Sequence, residues 1–287
     1  MRHVDNSGTT PPELLGFLDR IRSACRNLLD EREKVSQLKD AEWSCAREYL
    51  MKLSHHKCWY SEKRVDPDFP DRFAVSHHIP VHDPESTTAY FEHAFEAKNL
   101  RFVFRQCDSR RRNFQGYTQV HLRPGSQVAT SVDDIAIEEP ILLDPTNERD
   151  PELLAFRDDG SVVPAVPAIP DDQVWKHKRA RYTIDAIGLD LEHLLQERLR
   201  VFVNASNASH DVIETLYLKK LSERNKIFEA EKAKNKLVEM CVPQAAYSSV
   251  AITAATKVFS NPPDYLDYQA EEWTMPQWWA RELVALG

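Results

Sequence analysis

The sequence FAVSHHIP, residues 73–80, and the sequence NLRFVFRQCDSRRR, residues 99–112, decide the fold of the central part of the chain. Each contains a short apolar run, residues 73–75 in the first and residues 100–104 in the second, with the length and composition of a β-strand. Polar residues capable of chemistry adjoin both runs. The pattern predicts two strands and, after the second strand, a helix that carries Asp108 near its start.

The polar residues of these stretches resemble the motif of HNH endonucleases, which are also called ββα-metal or His-Me finger nucleases. That motif reads DHxxP or EHxxP, then NL, then a metal-binding residue nine positions after the Asn, and Asn99 and Asp108 have this interval. The resemblance implies that a histidine deprotonates water and that Asn99 orients its imidazole. It also implies that Asp108 helps to hold a divalent ion on the scissile phosphate.

The motif can be read in two registers. Counting back from Pro80 makes His77 the general base and puts Ser76 where relatives carry an acidic metal ligand. In the other register His77 replaces the acid and His78 is the base, which shortens the spacing to Pro80. We favour His77 as the base. In both registers the resemblance implies that Asp108 and the remaining histidine bind one Mg²⁺, with imidazole tilting the preference towards Mn²⁺, Ni²⁺ or Zn²⁺.

Many relatives also contain a zinc knuckle, in which four thiolates join the two halves of the finger. Here Cys58 and Cys107 stand at one position of each thiolate pair, while Ser61 and Phe104 occupy the partner positions. A four-thiolate zinc site is therefore not expected. We expect protein packing to replace it.

The resemblance continues after the finger. The matching segments are Leu143-Asp144-Pro145, Asp150-Pro151, Asp159-Gly160 and Ala180-Arg181-Tyr182-Thr183-Ile184. In this order they look like the downstream part of PtuB-like proteins, the HNH components of Septu and retron-linked anti-phage defence systems, over roughly residues 42–205. The resemblance implies a nuclease that acts on DNA or a tRNA beside a large ATPase of the ABC/SMC-like type.

Four arginines on the predicted helix or at its start are candidates for contacts to nucleic acid: Arg105, Arg110, Arg111 and Arg112. Guanidinium groups suit phosphate oxygens because their planar fork of donors matches them in a bidentate manner. A helix that presents Asp108 would place these arginines next to the scissile bond. The alternative is an ordinary basic helix face.

The composition argues against several other classes of protein. A net charge of −8 does not suit a protein that coats nucleic acid, because such binding needs a concentrated positive face. Neither GxSxG nor the phosphate-binding GxxxxGK occurs, so a serine hydrolase and an ATPase are not indicated. The five scattered cysteines and the polar N-terminus favour a cytoplasmic protein with reduced thiols.

Seven glycines against 29% charged residues favour long helices, so the expected fold class is α+β and mostly α-helical, with a ββα-metal finger embedded in a helical body. We expect four segments: an N-terminal helical support (1–56), the HNH finger (57–115), a family-specific loop and helix segment (116–205) and a C-terminal helical region (206–287). The last ends in a tail with Trp273, Trp278 and Trp279. The spacing of leucines predicts a helix over residues 183–202.

Two functions follow from these observations. The first is a metal-dependent HNH endonuclease, the nuclease effector of a defence complex with an ATPase. The alternative is a catalytically degenerate subunit of the same fold that docks on the ATPase and regulates it.

Overall fold

The structure is a computed structural model that describes residues 1–26, 43–79, 93, 95–114, 122–126, 138–217, 223–261, 276 and 278–281. Pro80 and Trp273 lie outside these residues. The chain divides into two compact units, Met1–Ala155 with Val162–Asp190, and Phe156–Ser161 with Leu191–Gly287. The expected α+β and mostly helical class is confirmed, because the described helices far outweigh two small two-stranded sheets.

Two amphipathic helices begin the first unit, α1 (Pro12–Arg26) and α2 (Ser44–Leu53). In α1, Leu14, Leu18 and Ile21 recur at helical spacing and are buried, because this spacing puts them on one face of the helix. Trp43 precedes α2 and meets the ring of Phe17 edge-on, with 5.3 Å between ring centroids. The helices therefore support the strands that follow.

A short antiparallel hairpin forms the centre of the first unit. Strand β1 (Phe73–His77) pairs with β2 (Leu100–Phe104) in a register that places Ser76 opposite Arg101 and His77 opposite Leu100. Helix α3 (Arg105–Arg112) follows β2 directly. The two predicted strands are confirmed, and the end of β1 lies beside the start of α3, where Ser76 and Asp108 are hydrogen-bonded.

The chain then forms strands β3 (Leu154–Phe156) and β4 (Val162–Pro164) and helix α4 (Asp171–Ile187). The prediction of a helix over residues 183–202 is wrong, because α4 ends at Ile187 and the next helix begins at Glu192. Gly188 adopts φ +69°, a left-handed conformation that glycine tolerates and that ends helices.

The second unit is helical. It contains α5 (Glu192–Tyr217), α6 (Glu223–Cys241) and α7 (Ser248–Ser260) around an apolar core. Trp279 is fully buried in that core, with its ring 5.3 Å from the ring of Phe259. Among the helices of both units that the structure describes, none has the length and apolar character needed to cross a membrane.

We predict that Gly160→Ala destabilises the second unit. Gly160 has φ +81°, and a Cβ atom there would lie 2.4 Å from the carbonyl oxygen of Leu195. Gly125→Ala is a matched control, because Gly125 has φ +86° and nothing lies within 4 Å of its added Cβ. Both variants carry the left-handed strain, but Gly160→Ala should lose about 2 kcal/mol more free energy of unfolding in urea. Equal losses would contradict the close approach at Gly160.

Candidate functional site

A buried carboxylate joins the end of β1 to the start of α3. The hydroxyl of Ser76 donates a 2.6 Å hydrogen bond to Oδ1 of Asp108. The Nε of Arg112, one helical turn further on, donates a 2.8 Å bond to Oδ2. The side chain of Arg112 is 52% exposed, whereas Ser76 and Asp108 are buried. The structure therefore brings Asp108 together with Ser76, the position that is an acidic metal ligand in relatives when the motif is read in the favoured register.

His77 is the last residue of β1 and is partly exposed. Its imidazole meets the indole of Trp43 edge-on, with 5.5 Å between ring centroids. Because successive side chains of a strand point to opposite faces, His77 and Ser76 diverge from neighbouring positions. Their Cα atoms are about 3.8 Å apart as consecutive residues, but the His77 imidazole and the Ser76 hydroxyl that binds Asp108 point to opposite faces of β1.

His78 has a different environment, because it is buried. Its Nδ1 is 3.1 Å from the hydroxyl of Tyr60, and its Nε2 is 3.9 Å from Oδ2 of Asp144. Burial lowers the pKa of His78 to about 3, although Asp144 acts in the opposite direction. Burial also raises the pKa of Tyr60 well above its usual range. His78 is therefore a neutral, hydrogen-bonded residue of the interior.

Asn99 acts on the backbone that follows the two histidines. Its Oδ1 accepts a 2.7 Å hydrogen bond from the N–H of Ile79, and its Nδ2 donates a 3.2 Å bond to the carbonyl of Ile79. Its own carbonyl accepts the N–H of His78 at 2.7 Å. Asn99 thus holds the end of β1 in place through three backbone contacts, and it would orient a histidine through the main chain.

The four predicted nucleic-acid-binding arginines lie in different environments. Arg111 is buried, and its guanidinium donates 2.5 Å hydrogen bonds to the carbonyls of His77 and His78, so it fixes the end of β1. Arg105 donates to the carbonyl of Asp71, and exposed Arg110 donates a 3.4 Å bond to the carbonyl of Asp185. Arg110 and Arg112 remain on the surface of α3.

The two cysteines of the incomplete zinc knuckle are neighbours. Cys58 and Cys107 are both buried and hydrogen-bonded to each other, and the N–H of Ser61 lies 3.4 Å from Sγ of Cys58. Burial raises the pKa of Cys58, but the hydrogen bonds from Cys107 and Ser61 outweigh it and bring the pKa down to about 6. The backbone N–H of Ser61 thus contacts Cys58. In relatives with a complete knuckle, position 61 is a cysteine that binds zinc together with the cysteine at position 58.

Sequence reasoning missed two linked salt bridges near His78, one half-buried and one buried. Arg101 binds both carboxylate oxygens of Asp144, at 2.6 and 2.7 Å, and Arg179 binds both oxygens of Asp150, at 2.8 and 2.7 Å. Burial alone raises the pKa of Asp144, but the adjacent Arg101 holds it well below the usual range. One signal was available, since Arg101 is the one charged residue within the apolar run of β2.

The predicted site is therefore brought together only in part. Asp108 lies with Ser76, His77 adjoins that pair along β1, and His78 faces Tyr60 and Asp144 instead. Within the part of the chain that the structure describes, no three His, Cys, Asp or Glu side chains lie close enough to hold a metal ion together.

Comparison with models of known protein families gives no match, and comparison with curated proteins gives none either.

We predict that His78 makes the stability of the first unit depend on pH. The pKa of His78 is about 3 in the folded chain and is near 6.5 when the residue is exposed to solvent. Below pH 6.5 the unfolded chain binds a proton that the folded chain does not, so stability falls as the pH drops from 6.5 towards 3.

The variant His78→Asn removes this titration and keeps an acceptor for Tyr60. The free energy of unfolding is measured in urea at pH 7 and at pH 5. Its decrease from pH 7 to pH 5 should be about 2 kcal/mol smaller in His78→Asn than in the wild type. His56→Asn, at an exposed histidine, is the control and should follow the wild type. Identical pH dependence in His78→Asn and wild type would show that His78 is not buried in a neutral form.

Proposed function

We propose that this chain is a metal-dependent endonuclease of the HNH type that hydrolyses phosphodiester bonds in nucleic acid. One observation carries the proposal: the hydroxyl of Ser76, which precedes His77 in β1, lies 2.6 Å from the carboxylate of Asp108 in the first turn of α3. In the favoured register the HNH resemblance implies that position 76 and Asp108 hold the metal and that His77 is the base.

His77 is the better general base of the two histidines. A general base must exchange protons with a water beside the substrate, and its pKa should lie near the working pH. His78 meets neither requirement, because it is buried against Tyr60 and its pKa of about 3 leaves it a very weak base. His77 is partly exposed, although its Nε2 is buried, and it follows Ser76, whose hydroxyl binds Asp108. Arg111 and Asn99 hold the backbone around it.

The donors at this place suit a hard divalent ion. Asp108 offers a carboxylate and Ser76 a hydroxyl, and Mg²⁺ commonly binds one or two carboxylates together with waters and substrate phosphates. Arg112, which neutralises Asp108, is half exposed and can turn towards solvent. An ion bound there would neutralise the charge that develops on the phosphate oxygens. Oxygen donors favour Mg²⁺ or Mn²⁺ over softer ions.

The surface of α3 favours nucleic acid as the substrate. Arg110 and Arg112 are exposed on the helix that carries Asp108, so both can reach phosphates on either side of a bond held at that carboxylate. Phosphate contacts do not distinguish DNA from RNA. The substrate class proposed is therefore nucleic acid, with duplex DNA and tRNA as the two substrates to test.

A second candidate is supported by the pairing of Asp108. Its two oxygens already accept hydrogen bonds from Ser76 and Arg112, and Ser76 stands where an acidic ligand is expected. An arginine that neutralises the carboxylate permanently would leave a stable fold without metal binding. The chain would then be a binding or regulatory subunit for the ATPase that the resemblance implies.

The contact to such an ATPase is also a proposal. The Trp-rich tail does not offer Trp279 for this contact, because Trp279 is buried within its own unit against Phe259. Trp279 therefore contributes to the core of the second unit. Deleting residues from 262 onward would remove this side chain, so a loss of ATPase binding would have to be checked against unfolding of that unit.

We predict that His77→Ala abolishes nuclease activity and leaves the fold intact. Loss of the general base should lower the cleavage rate by roughly 100-fold or more. The measurement is cleavage of duplex DNA and tRNA in Mg²⁺ and in Mn²⁺, with circular dichroism to check folding. His56→Asn is the control, since His56 is exposed and lies outside the site. Wild-type cleavage by His77→Ala would remove His77 from the mechanism.

The second candidate gives the opposite result in the same assay. If the chain is a regulatory subunit, the wild type shows no cleavage with or without its ATPase. Titration with Mn²⁺ then gives no heat of binding. Metal-dependent cleavage by the wild type that is lost in Asp108→Asn rules this candidate out.

A further inference from the structure

A cavity of about 710 Å³ lies within the first unit, on the side of the hairpin to which His78 turns. His78, Asn99 and Arg101 contribute to its wall, together with residues of the loop 144–150 and of helix α4. Its volume falls within the range of roughly 300–1,000 Å³ that small-molecule sites occupy. The proposed catalytic residues His77 and Asp108 do not line it.

The inner wall of the cavity is rigid and electrically balanced. Arg101 pairs with Asp144 and Arg179 pairs with Asp150, each through two hydrogen bonds of 2.6–2.8 Å. The N–H of Asp144 also donates a 2.7 Å bond to Asp150, so the two pairs are linked. These cations are already neutralised, and they do not by themselves attract an anion.

The rim of the cavity carries three cations that have no charged partner among the described residues. Lys98, Arg149 and Lys176 line it and are exposed, and none of their side-chain nitrogens forms an ion pair with a residue that the structure describes. Four glutamates also line the cavity. Glu96 pairs with Arg22 at 2.7 Å and Glu139 with Arg123 at 3.3 Å, and the other two are Glu138 and Glu152. The three cations outnumber these last two carboxylates, so the opening can accept an anionic group of a ligand.

A second observation points to a ligand inside the cavity. Nδ1 of His93 is buried and has no hydrogen-bond partner among the described residues, and the imidazole lines the cavity. A buried nitrogen without a partner is unfavourable, and a hydrogen bond from a ligand would satisfy it. His93 thus offers a polar contact in the wall of the cavity.

We infer that this cavity binds a phosphate-bearing nucleotide, with the phosphate at Lys98, Arg149 and Lys176 and the base or sugar at His93. The volume fits one nucleotide, the rim fits its phosphate, and the polar wall fits its hydrogen-bonding edges. The inference rests on the proposed nuclease function in one respect, because the nucleotide can be part of a strand that is cut at Asp108. A free mononucleotide would present the same phosphate, sugar and base to the cavity.

The test uses the full chain with the substitution His77→Ala, so that no probe is cleaved. Binding is measured for inorganic phosphate, AMP and a single-stranded DNA of about ten nucleotides, a length within the usual range for single-strand sites. The rim variant is Lys98→Ala/Arg149→Ala/Lys176→Ala. The matched control, Lys52→Ala/Arg64→Ala/Arg72→Ala, removes the same charge from exposed positions that do not line the cavity.

The rim variant should weaken binding of AMP or of the oligonucleotide by about tenfold or more and reduce its dependence on salt. The control should remain within about twofold of the parent, because charges away from the cavity contribute only screened, long-range attraction. Binding of AMP assigns the site to free nucleotides, and binding of the oligonucleotide alone assigns it to a strand. Equal losses in the two triple variants, or no binding of any probe, would overturn the inference.

A further variant, His93→Leu, separates a nucleotide site from a phosphate site. It should weaken binding of AMP or of the oligonucleotide and leave binding of inorganic phosphate unchanged. If His93→Leu has no effect, or if phosphate binds as tightly as the nucleotide probes, the assignment to a nucleotide is wrong. This test measures binding and not cleavage, so it is independent of the proposed nuclease function. If the probes bind through the rim but the wild type does not cut nucleic acid in the cleavage assay, only the proposed function is contradicted.

Discussion

The first unit depends on a half-buried carboxylate, Asp144, which is held by the buried Arg101 of strand β2 through two hydrogen bonds of 2.6 and 2.7 Å. The N–H of Asp144 donates to Asp150, and Asp150 binds Arg179 of helix α4. These contacts tie the hairpin, the loop 144–150 and α4 into one body. Arg179 and Asp150 are both buried, and removing one partner of such a pair typically costs about 3–5 kcal/mol, because the other charge is left without compensation.

This network also separates the roles of two adjacent histidines. His78 turns towards Asp144 and Tyr60, where burial keeps it neutral and structural. His77 lies one residue earlier, at the partly exposed end of β1, next to the contact between Ser76 and Asp108. Asp108 thus binds Ser76 and does not line the cavity, whereas His78 does. Arg111 braces the junction by binding both histidine carbonyls.

The local part of the fold could be predicted from the sequence, because the apolar runs at 73–75 and 100–104 have strand character and polar residues end them. Contacts between distant residues could not. Nothing near Arg101 in the sequence identifies a partner 43 positions away, and nothing in the run of arginines identifies Arg111 as the buried one. The prediction of one continuous helix over 183–202 was wrong because it followed the leucine spacing and ignored Gly188. The left-handed conformation of Gly188 ends α4.

The proposed nuclease function requires Asp108 to be the ligand of a divalent ion beside His77. Mn²⁺ binding followed by electron paramagnetic resonance tests this requirement most directly. The wild type should bind one Mn²⁺, Asp108→Asn should lose it, and Ser76→Asp should bind it at least about tenfold more tightly because a second carboxylate joins the first. Unchanged Mn²⁺ binding in Asp108→Asn, or no binding in either wild type or Ser76→Asp, would contradict the account.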